Sequence, residues 1–249
     1  AVMLPSAEAV RHLCELSSDE EALLRSPERP IVLLRKRPGC DEALAGVAPG
    51  MAWLGVMLPY TPLQHLLFEG TGGSSRVLVM TSANPGGEPL VIGDDEAVRR
   101  LGGIADALLR HDREILLRCD DSVARVEDAH TVFVRRARGF APRAIALSRS
   151  GPPVLSLGAS LKNTVCVTRG AEAFLSPHVG DLDNGPTCEA LVEAAAHLCG
   201  ILQVTPTSVA HDRHPDFFST RHAAVLAGEL GVPLVAVQHH HAHVAALCA

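Results

Sequence analysis

Four histidines stand within five residues near the carboxyl end of the sequence, at positions 239, 240, 241 and 243. They follow a short apolar run, residues 232–237, whose length and β-branched content predict a buried strand, and they open an alanine-rich segment that predicts a helix. If that helix begins at or just before His239, then His239 and His243 share one face, where two imidazoles can bind one metal ion. We therefore predict a metal site at this pair. The alternative is a polar helix start whose histidines face solvent.

Two groups of cations follow predicted strands in the first half of the chain. Residues 35–37 are Arg, Lys and Arg and end a predicted apolar strand, and three arginines fall within residues 135–138 after another strand. Cations at a strand end can hold a phosphate, although a charge run is also typical of a solvated sheet edge. In an acidic chain, the second group favours an anionic ligand.

Three polar loops are candidates for contact with the phosphates of a nucleotide. Residues 81–89 place hydroxyls, an amide and two glycines after residues 76–80, for which we predict the clearest buried strand of the first half. The others are the charged stretch within residues 107–126 and the turn at 158–164 between two predicted strands. Hydroxyls and backbone amides in such loops can bind phosphate, but ordinary turns or salt-bridged loops explain the same residues.

These candidate sites require a frame of α/β type. Helical patterns alternate with short apolar strands, and polar residues gather where strands end, which is typical of a parallel α/β arrangement. The Ser, Gly and Pro-rich residues 148–153 are the best linker candidate. We therefore expect one domain over residues 1–147 and a second over residues 154–249.

Composition excludes several classes of protein. The net charge of -6 argues against a nonspecific nucleic-acid binder, and seven cysteines without a C-x-x-C pair argue against a disulfide framework or a zinc knuckle. No apolar run reaches the length of a membrane span, and the amino end does not resemble a secretory signal. We expect a cytoplasmic protein, and both ends of the sequence suggest a piece of a longer chain.

Several long runs together resemble one family. MLPYTPLQHLL, VMTSANPGGEPL, HDREILLRCDDSVARV and VRRARGFAP resemble the later part of the YrdC-like domain of the hydrogenase-maturation carbamoyltransferases, the HypF family. LSLGASLKNTVCVTRGAEAFLSPHVGDLDN, HDRHPDFFSTRHA and VQHHHAHVAA resemble the first half of the actin-like, Kae-type ATPase domain that follows it. Antibiotic O-carbamoyltransferases have these modules in the reverse order, and tRNA threonylcarbamoylation divides related modules between separate proteins.

The resemblance implies a fold and a reaction. The fold is α/β, with a YrdC-like twisted domain followed by a partial ribonuclease-H-like ATPase domain. In the first step, carbamate released from carbamoyl phosphate reacts with ATP, in the presence of magnesium, to give carbamoyl adenylate. In the second step, the second module transfers the carbamoyl group to the terminal cysteine of a HypE-type partner. The modified cysteine is later converted to the cyanide ligand of a nickel-iron site. The alternatives are an O-carbamoyltransferase, a tRNA threonylcarbamoylation enzyme, or a noncatalytic nucleotide- or metal-binding module.

The resemblance also implies roles for individual residues. Iron or zinc would bind at His239 and His243, and the cations of Arg118 and Arg138 would serve catalysis by neutralising phosphate charge. Nucleotide contacts would come from Arg35, Arg37, Thr81, Ser82, Asn84, Asp121, Ser122, Lys162, Asn163 and Thr164.

Parts of the family's architecture are missing from this sequence. We expect four parts to lie outside it: an acylphosphatase-like domain, zinc fingers with structural zinc, the first strands of the YrdC-like domain, and the second half of the ATPase-like domain. The last of these would supply a third metal ligand. We therefore expect the chain by itself not to complete the reaction.

Overall fold

A computed structural model describes residues 1–70 and 76–248. The chain divides into two compact units, each built on one sheet: a first unit of Ala1–Ser82 with Asp121–Phe140, and a second unit of Ala83–Asp120 with Ala141–Ala249. Strands and helices occur in both, so the predicted α/β class is confirmed.

The elements in chain order are β1 (Val2–Met3), α1 (Ala7–Leu13), α2 (Ser18–Arg25), β2 (Ile31–Arg35), α3 (Cys40–Ala43), β3 (Trp53–Met57), α4 (Pro62–Gly70), β4 (Leu78–Val79), α5 (Asp94–Leu101), β5 (Val123–Glu127), β6 (His130–Arg135), β7 (Ala144–Gly151), β8 (Val154–Ser156), β9 (Cys166–Leu175), α6 (Gly185–Leu202), β10 (Ser208–Asp212), α7 (Phe218–Leu230), β11 (Leu234–Val237) and α8 (His239–Leu247).

The first unit is a six-stranded sheet in the order β4-β1-β3-β2-β5-β6. Alternate residues of β2, Val32 and Leu34, are fully buried because successive side chains of a strand point to opposite faces. Helix α2 starts at a capping box in which Ser17 and Glu20 each accept the other's backbone N–H.

One predicted strand of the first unit differs from its expectation. Residues 76–80 contribute only the two-residue strand β4, at the edge of the sheet, where Val79 is 65% exposed. The prediction of a clear buried strand was therefore wrong. An apolar run is buried only when neighbours cover it, and among the strands of residues 1–70 and 76–248, β4 pairs with β1 alone.

The second unit is a five-stranded sheet in the order β11-β10-β8-β9-β7. Strand β10 runs parallel to both β8 and β11, whereas β8 and β9 form the predicted antiparallel hairpin. The core contains Leu157 and Val209 from strands, Leu191 from α6 and Ala223 from α7, all fully buried. Parallel pairing brings the carboxyl ends of β10 and β11 to one edge of the sheet.

The boundary between the compact units differs from the predicted domain boundary. Strand β7 includes residues 148–151, where we expected linker, and Gly151 at its end pairs with Gly170 of β9. Residues 83–120, which we placed in the first domain, belong to the second unit. Nothing in composition distinguishes a Gly- and Ser-containing edge strand from a linker.

Within the described ranges, none of the helices combines the length and the apolar character needed to cross a membrane.

Candidate functional site

The histidine cluster begins where β11 ends. Gln238 caps helix α8, since its side-chain oxygen accepts the backbone N–H groups of His240 at 2.6 Å and His241 at 3.2 Å. The helix therefore starts at His239. The prediction that His239 and His243 share one helical face required this start.

His239 and His243 face each other across one helical turn. Their Nε2 atoms are 3.1 Å apart. Two nitrogens bound at about 2.0 to 2.1 Å to one ion lie about 2.8 to 3.4 Å apart for angles between octahedral and tetrahedral, so the pair fits two ligands of one metal ion. His240 is directed away, toward the side chain of Gln238. The metal itself stays a prediction: in residues 1–70 and 76–248 no three His, Cys, Asp or Glu side chains group as a metal site.

Asp212 joins this cluster from the neighbouring strand. It ends β10 and pairs in register with Val237 of β11, and its Oδ2 lies 2.6 Å from His239 Nδ1. Its side chain is 8% exposed, and Oδ1 accepts the backbone N–H of His214 at 2.9 Å. Burial alone raises the pKa of the Asp212 carboxyl, but the hydrogen bonds from His214 and His239 outweigh it, and the pKa is lowered from its usual value. The sequence alone suggested no role for Asp212.

The turn between β8 and β9 carries three predicted nucleotide contacts. Asn163 is 2% exposed, and its Nδ2 donates to the carbonyls of Leu157 and Ala159, both at 2.8 Å. Lys162 has a left-handed φ of 47° and donates its backbone N–H to Asp181 Oδ1 at 2.6 Å, while its side chain is exposed. Asn163 thus shapes the turn and Lys162 offers its ammonium to solvent. Thr164 follows, half-buried.

Arg118 lines a cleft of about 500 Å³ in the second unit. Its Nε donates to Leu90 O at 2.9 Å, and a terminal nitrogen pairs with Glu193 Oε2 at 2.6 Å. Most of the other lining residues are apolar, and His197 adds a titratable group. The cleft can take a ligand with an apolar body whose anionic group competes with Glu193 for Arg118.

Asn84, also in the second unit, stabilises its own loop. Its Nδ2 donates to Pro85 O at 3.0 Å and Glu88 O at 2.7 Å. The amide therefore holds the turn that the sequence suggested, and its role in binding a nucleotide stays a prediction.

The first unit brings Asp121, Ser122 and Arg138 together. Arg138 Nε donates to Asp121 Oδ1 at 2.8 Å. The Ser122 hydroxyl is fully buried, donates to Arg138 O at 2.9 Å and accepts the N–H of Ala137 at 2.8 Å. In this arrangement all three predicted ligand contacts form hydrogen bonds within the protein, and Ser122 is shielded from solvent.

The remaining predicted contacts of the first unit lie at its surface. Arg35, Arg37, Thr81 and Ser82 are exposed, and Arg37 Nε donates to Cys14 O at 3.0 Å. Exposed guanidinium and hydroxyl groups can meet phosphate oxygens without breaking a buried contact.

Comparison with known families divides the chain in the same order as its sequence motifs. Residues 1–137 match the model of the Sua5/YciO/YrdC family, described as "Telomere recombination". Residues 149–249 match the model described as "HypF Kae1-like domain".

Similar curated proteins match the whole chain. Carbamoyltransferase HypF2 of Cupriavidus necator is 63% identical over 263 residues, covering 100% of this chain and 33% of that protein. Carbamoyltransferase HypF of Rhizobium leguminosarum bv. viciae is 52% identical, again over 100% of this chain and 32% of its own length. The chain therefore spans about a third of the length of these relatives.

Solved structures show the same fold. Full-length HypF in a phosphate- and nucleotide-bound form has a TM-score of 0.88 and 40% identity over 98% of this chain and 38% of that chain. The HypF structure of T. kodakarensis has a TM-score of 0.90 and 37% identity over 98% of this chain and 32% of that chain.

Proposed function

Because this chain belongs to the HypF family of carbamoyltransferases, we propose that it is part of an enzyme of nickel-iron hydrogenase maturation. The enzyme uses carbamoyl phosphate and ATP with magnesium to form carbamoyl adenylate. It then transfers the carbamoyl group to the carboxyl-terminal cysteine of a HypE-type partner in the cytoplasm.

One observation carries this proposal: the similarity runs through the whole chain, with the YrdC-like module first and the Kae1-like module second. The same order disfavours the antibiotic O-carbamoyltransferases, and the net charge of -6 disfavours a function on RNA. Since the chain spans about a third of its relatives, the complete reaction belongs to the longer protein.

The first module activates carbamate. A carbamate oxygen attacks the α-phosphorus of ATP, a P–O bond forms, and pyrophosphate leaves with the electron pair of the broken bond. Arg35 and Arg37 neutralise phosphate charge, while Thr81 and Ser82 donate hydrogen bonds to phosphate oxygens. Arg138 keeps Asp121 in place and reaches the nucleotide only if it exchanges that carboxylate for phosphate. Arg118, which belongs to the second unit, reaches an anionic ligand only if it releases Glu193.

The second module transfers the carbamoyl group. The thiolate of the partner's cysteine attacks the carbonyl carbon of carbamoyl adenylate, a C–S bond forms, and AMP leaves as the C–O bond breaks. Lys162 neutralises the phosphate of the leaving AMP, Thr164 donates its hydroxyl, and Asn163 keeps the turn in shape.

His239 and His243 would hold an iron or zinc ion through their Nε2 atoms. When bound, the ion supplies Lewis acidity to an oxygen of the phosphate or the carbonyl group. Asp212 orients His239 by accepting a hydrogen bond from Nδ1. The carbamate and the adenylate are both unstable in water, so the residues around them must also exclude solvent.

The test uses the full-length protein with ATP, carbamoyl phosphate and the HypE-type partner. We expect the mass of the partner to rise by one carbamoyl group, located on its terminal cysteine by peptide mass spectrometry. The controls omit carbamoyl phosphate or replace the terminal cysteine by alanine. A folded, nucleotide-binding enzyme that adds no carbamoyl group to its partner would contradict the proposal.

A further inference from the structure

We propose that Asp212 is a positioning residue that holds His239 in the tautomer protonated at Nδ1, so that Nε2 keeps its lone pair for a metal ion. The metal half of this inference rests on the function proposed above. The tautomer half depends only on residues of this chain.

The hydrogen-bond geometry sets the tautomer. An ionised carboxylate can only accept hydrogen bonds, so the 2.6 Å contact between Asp212 Oδ2 and His239 Nδ1 requires the proton on Nδ1. The other carboxylate oxygen already accepts the N–H of His214 at 2.9 Å, which favours the ionised form. A neutral imidazole protonated at Nδ1 has its free lone pair on Nε2.

The backbone keeps Asp212 in place. It is the last residue of β10 and pairs with Val237 of the parallel neighbour β11, one residue before the cap of α8. Its carbonyl accepts the hydroxyl of Thr220 at 2.9 Å, which ties the strand end to α7. With 8% of its side chain exposed, Asp212 has little freedom to move away from His239.

Only the Nε2 atom of His239 faces the second histidine. It lies 3.1 Å from Nε2 of His243. If His239 carried its proton on Nε2, that proton would occupy the space between the two rings and the nitrogen would have no lone pair to offer. A carboxylate that fixes the ring of a metal-binding histidine typically changes metal affinity by about 10 to 100-fold.

Asp212→Asn is the sharpest probe because it keeps the shape of the side chain. An amide has one oxygen and one NH2 group, so it cannot accept from both His214 N–H and His239 Nδ1–H. If the oxygen stays on His214, the NH2 group faces Nδ1 and favours the opposite tautomer. Asp212→Ala is a second variant, in which the acceptor is removed altogether.

The first measurement is made on the metal-free full chain. We expect ¹⁵N spectra of histidine side chains at alkaline pH to show His239 protonated at Nδ1 in the wild type and shifted toward Nε2 protonation in both variants. An unchanged His239 tautomer in folded variants would overturn the inference.

The second measurement uses zinc(II) as the probe, in competition with a chromophoric chelator. We expect D212N to weaken zinc binding by about 10 to 100-fold. The matched control is Asp216→Asn, the same chemical change on an exposed carboxylate of the same loop, which should bind zinc like the wild type. Equal zinc affinity in D212N and the wild type would contradict the metal half.

If the proposed metal site is wrong but the role of Asp212 is right, the zinc and ¹⁵N measurements give different answers. If the histidine pair is not a metal site, His243→Ala binds zinc as tightly as the wild type. The ¹⁵N spectra then still decide whether Asp212 fixes the tautomer, because they need no metal.

Discussion

Arg138 is bound to Asp121 through a hydrogen bond of 2.8 Å from Nε to Oδ1. Its terminal nitrogens donate to the carbonyls of Glu28 at 3.1 Å and Arg29 at 2.8 Å, and the guanidinium lies 3.7 Å from the centre of the Tyr60 ring. A residue that the sequence marked as a phosphate-binding cation thus connects to three separate segments of the first unit, at residues 28–29, 60 and 121.

Loss of this connection should destabilise the first unit. We expect Arg138→Ala to lower its free energy of unfolding by about 3 kcal/mol, because a carboxylate and two carbonyls lose their donor together. The fluorescence of Trp53, the only tryptophan of the chain, can follow urea unfolding of this unit. Arg35→Ala removes an exposed arginine and should change the free energy by less than about 0.5 kcal/mol. Equal midpoints for the two variants would show that the Arg138 contacts contribute little.

The buried amide of Asn163 should matter for the second unit. Asn163→Ala removes the side-chain donor of the Leu157 carbonyl and one of two donors to the Ala159 carbonyl, which also accepts the Ser219 hydroxyl at 2.9 Å, at an expected cost of about 1 to 3 kcal/mol. Thermal unfolding followed by circular dichroism measures it. Ser160→Ala, in the same turn and half-buried, is the control and should shift the midpoint little. A variant Asn163→Ala as stable as the control would mean that the turn does not depend on this amide.

Substitution of His239 should affect the second chemical step, carbamoyl transfer, and leave the first step, adenylate formation, intact. In the full-length protein we expect His239→Ala to retain ATP–pyrophosphate exchange, the assay for adenylate formation by the first module. The same variant should lose carbamoyl transfer to the partner. His241→Ala removes an exposed histidine of the same helix and should retain both activities. Equal loss of exchange and transfer in His239→Ala would refute the division of labour between the modules.

The buried thiol of Cys14 should make stability depend on alkaline pH. Burial, and to a smaller extent the neighbouring Cys40, raise the pKa of Cys14 to about 12. The unfolded thiol has a pKa near 9 and ionises first, whereas the folded thiol stays protonated up to about pH 12. The folded state therefore keeps its full stability below pH 9 and loses stability as the pH rises from 9 toward 12.

The comparison of the wild type with Cys14→Ala isolates this effect. Their difference in free energy of unfolding should be constant up to about pH 8.5 and shrink above it, because only the wild type has this thiol to ionise on unfolding. Urea titrations at several pH values measure it. Cys248→Ala removes an exposed thiol, and its free energy of unfolding should differ from that of the wild type by a constant amount at every pH. A constant difference for Cys14→Ala across the whole range would contradict the assignment.

The parts of the fold that local sequence determines were predicted well. Helix α5 (Asp94–Leu101) begins with acidic residues in its first turn, and the capping box at Ser17 and Glu20 starts α2; both are start signals contained in a few neighbouring residues. The proximity of His239 and His243 also follows from spacing alone, because residues four apart on a helix share a face. Family resemblance came from motifs that are likewise contiguous in sequence.

The tertiary structure decided which groups meet across the sheets. Asp212 and His239 are 27 residues apart, and Asp121 and Arg138 are 17 apart. No local period encodes such pairs, because they depend on strand order and register, which are set by packing of the whole sheet. The sequence alone therefore predicted a histidine pair and a run of arginines, whereas only the fold supplied the carboxylate that orients His239 and the one that binds Arg138.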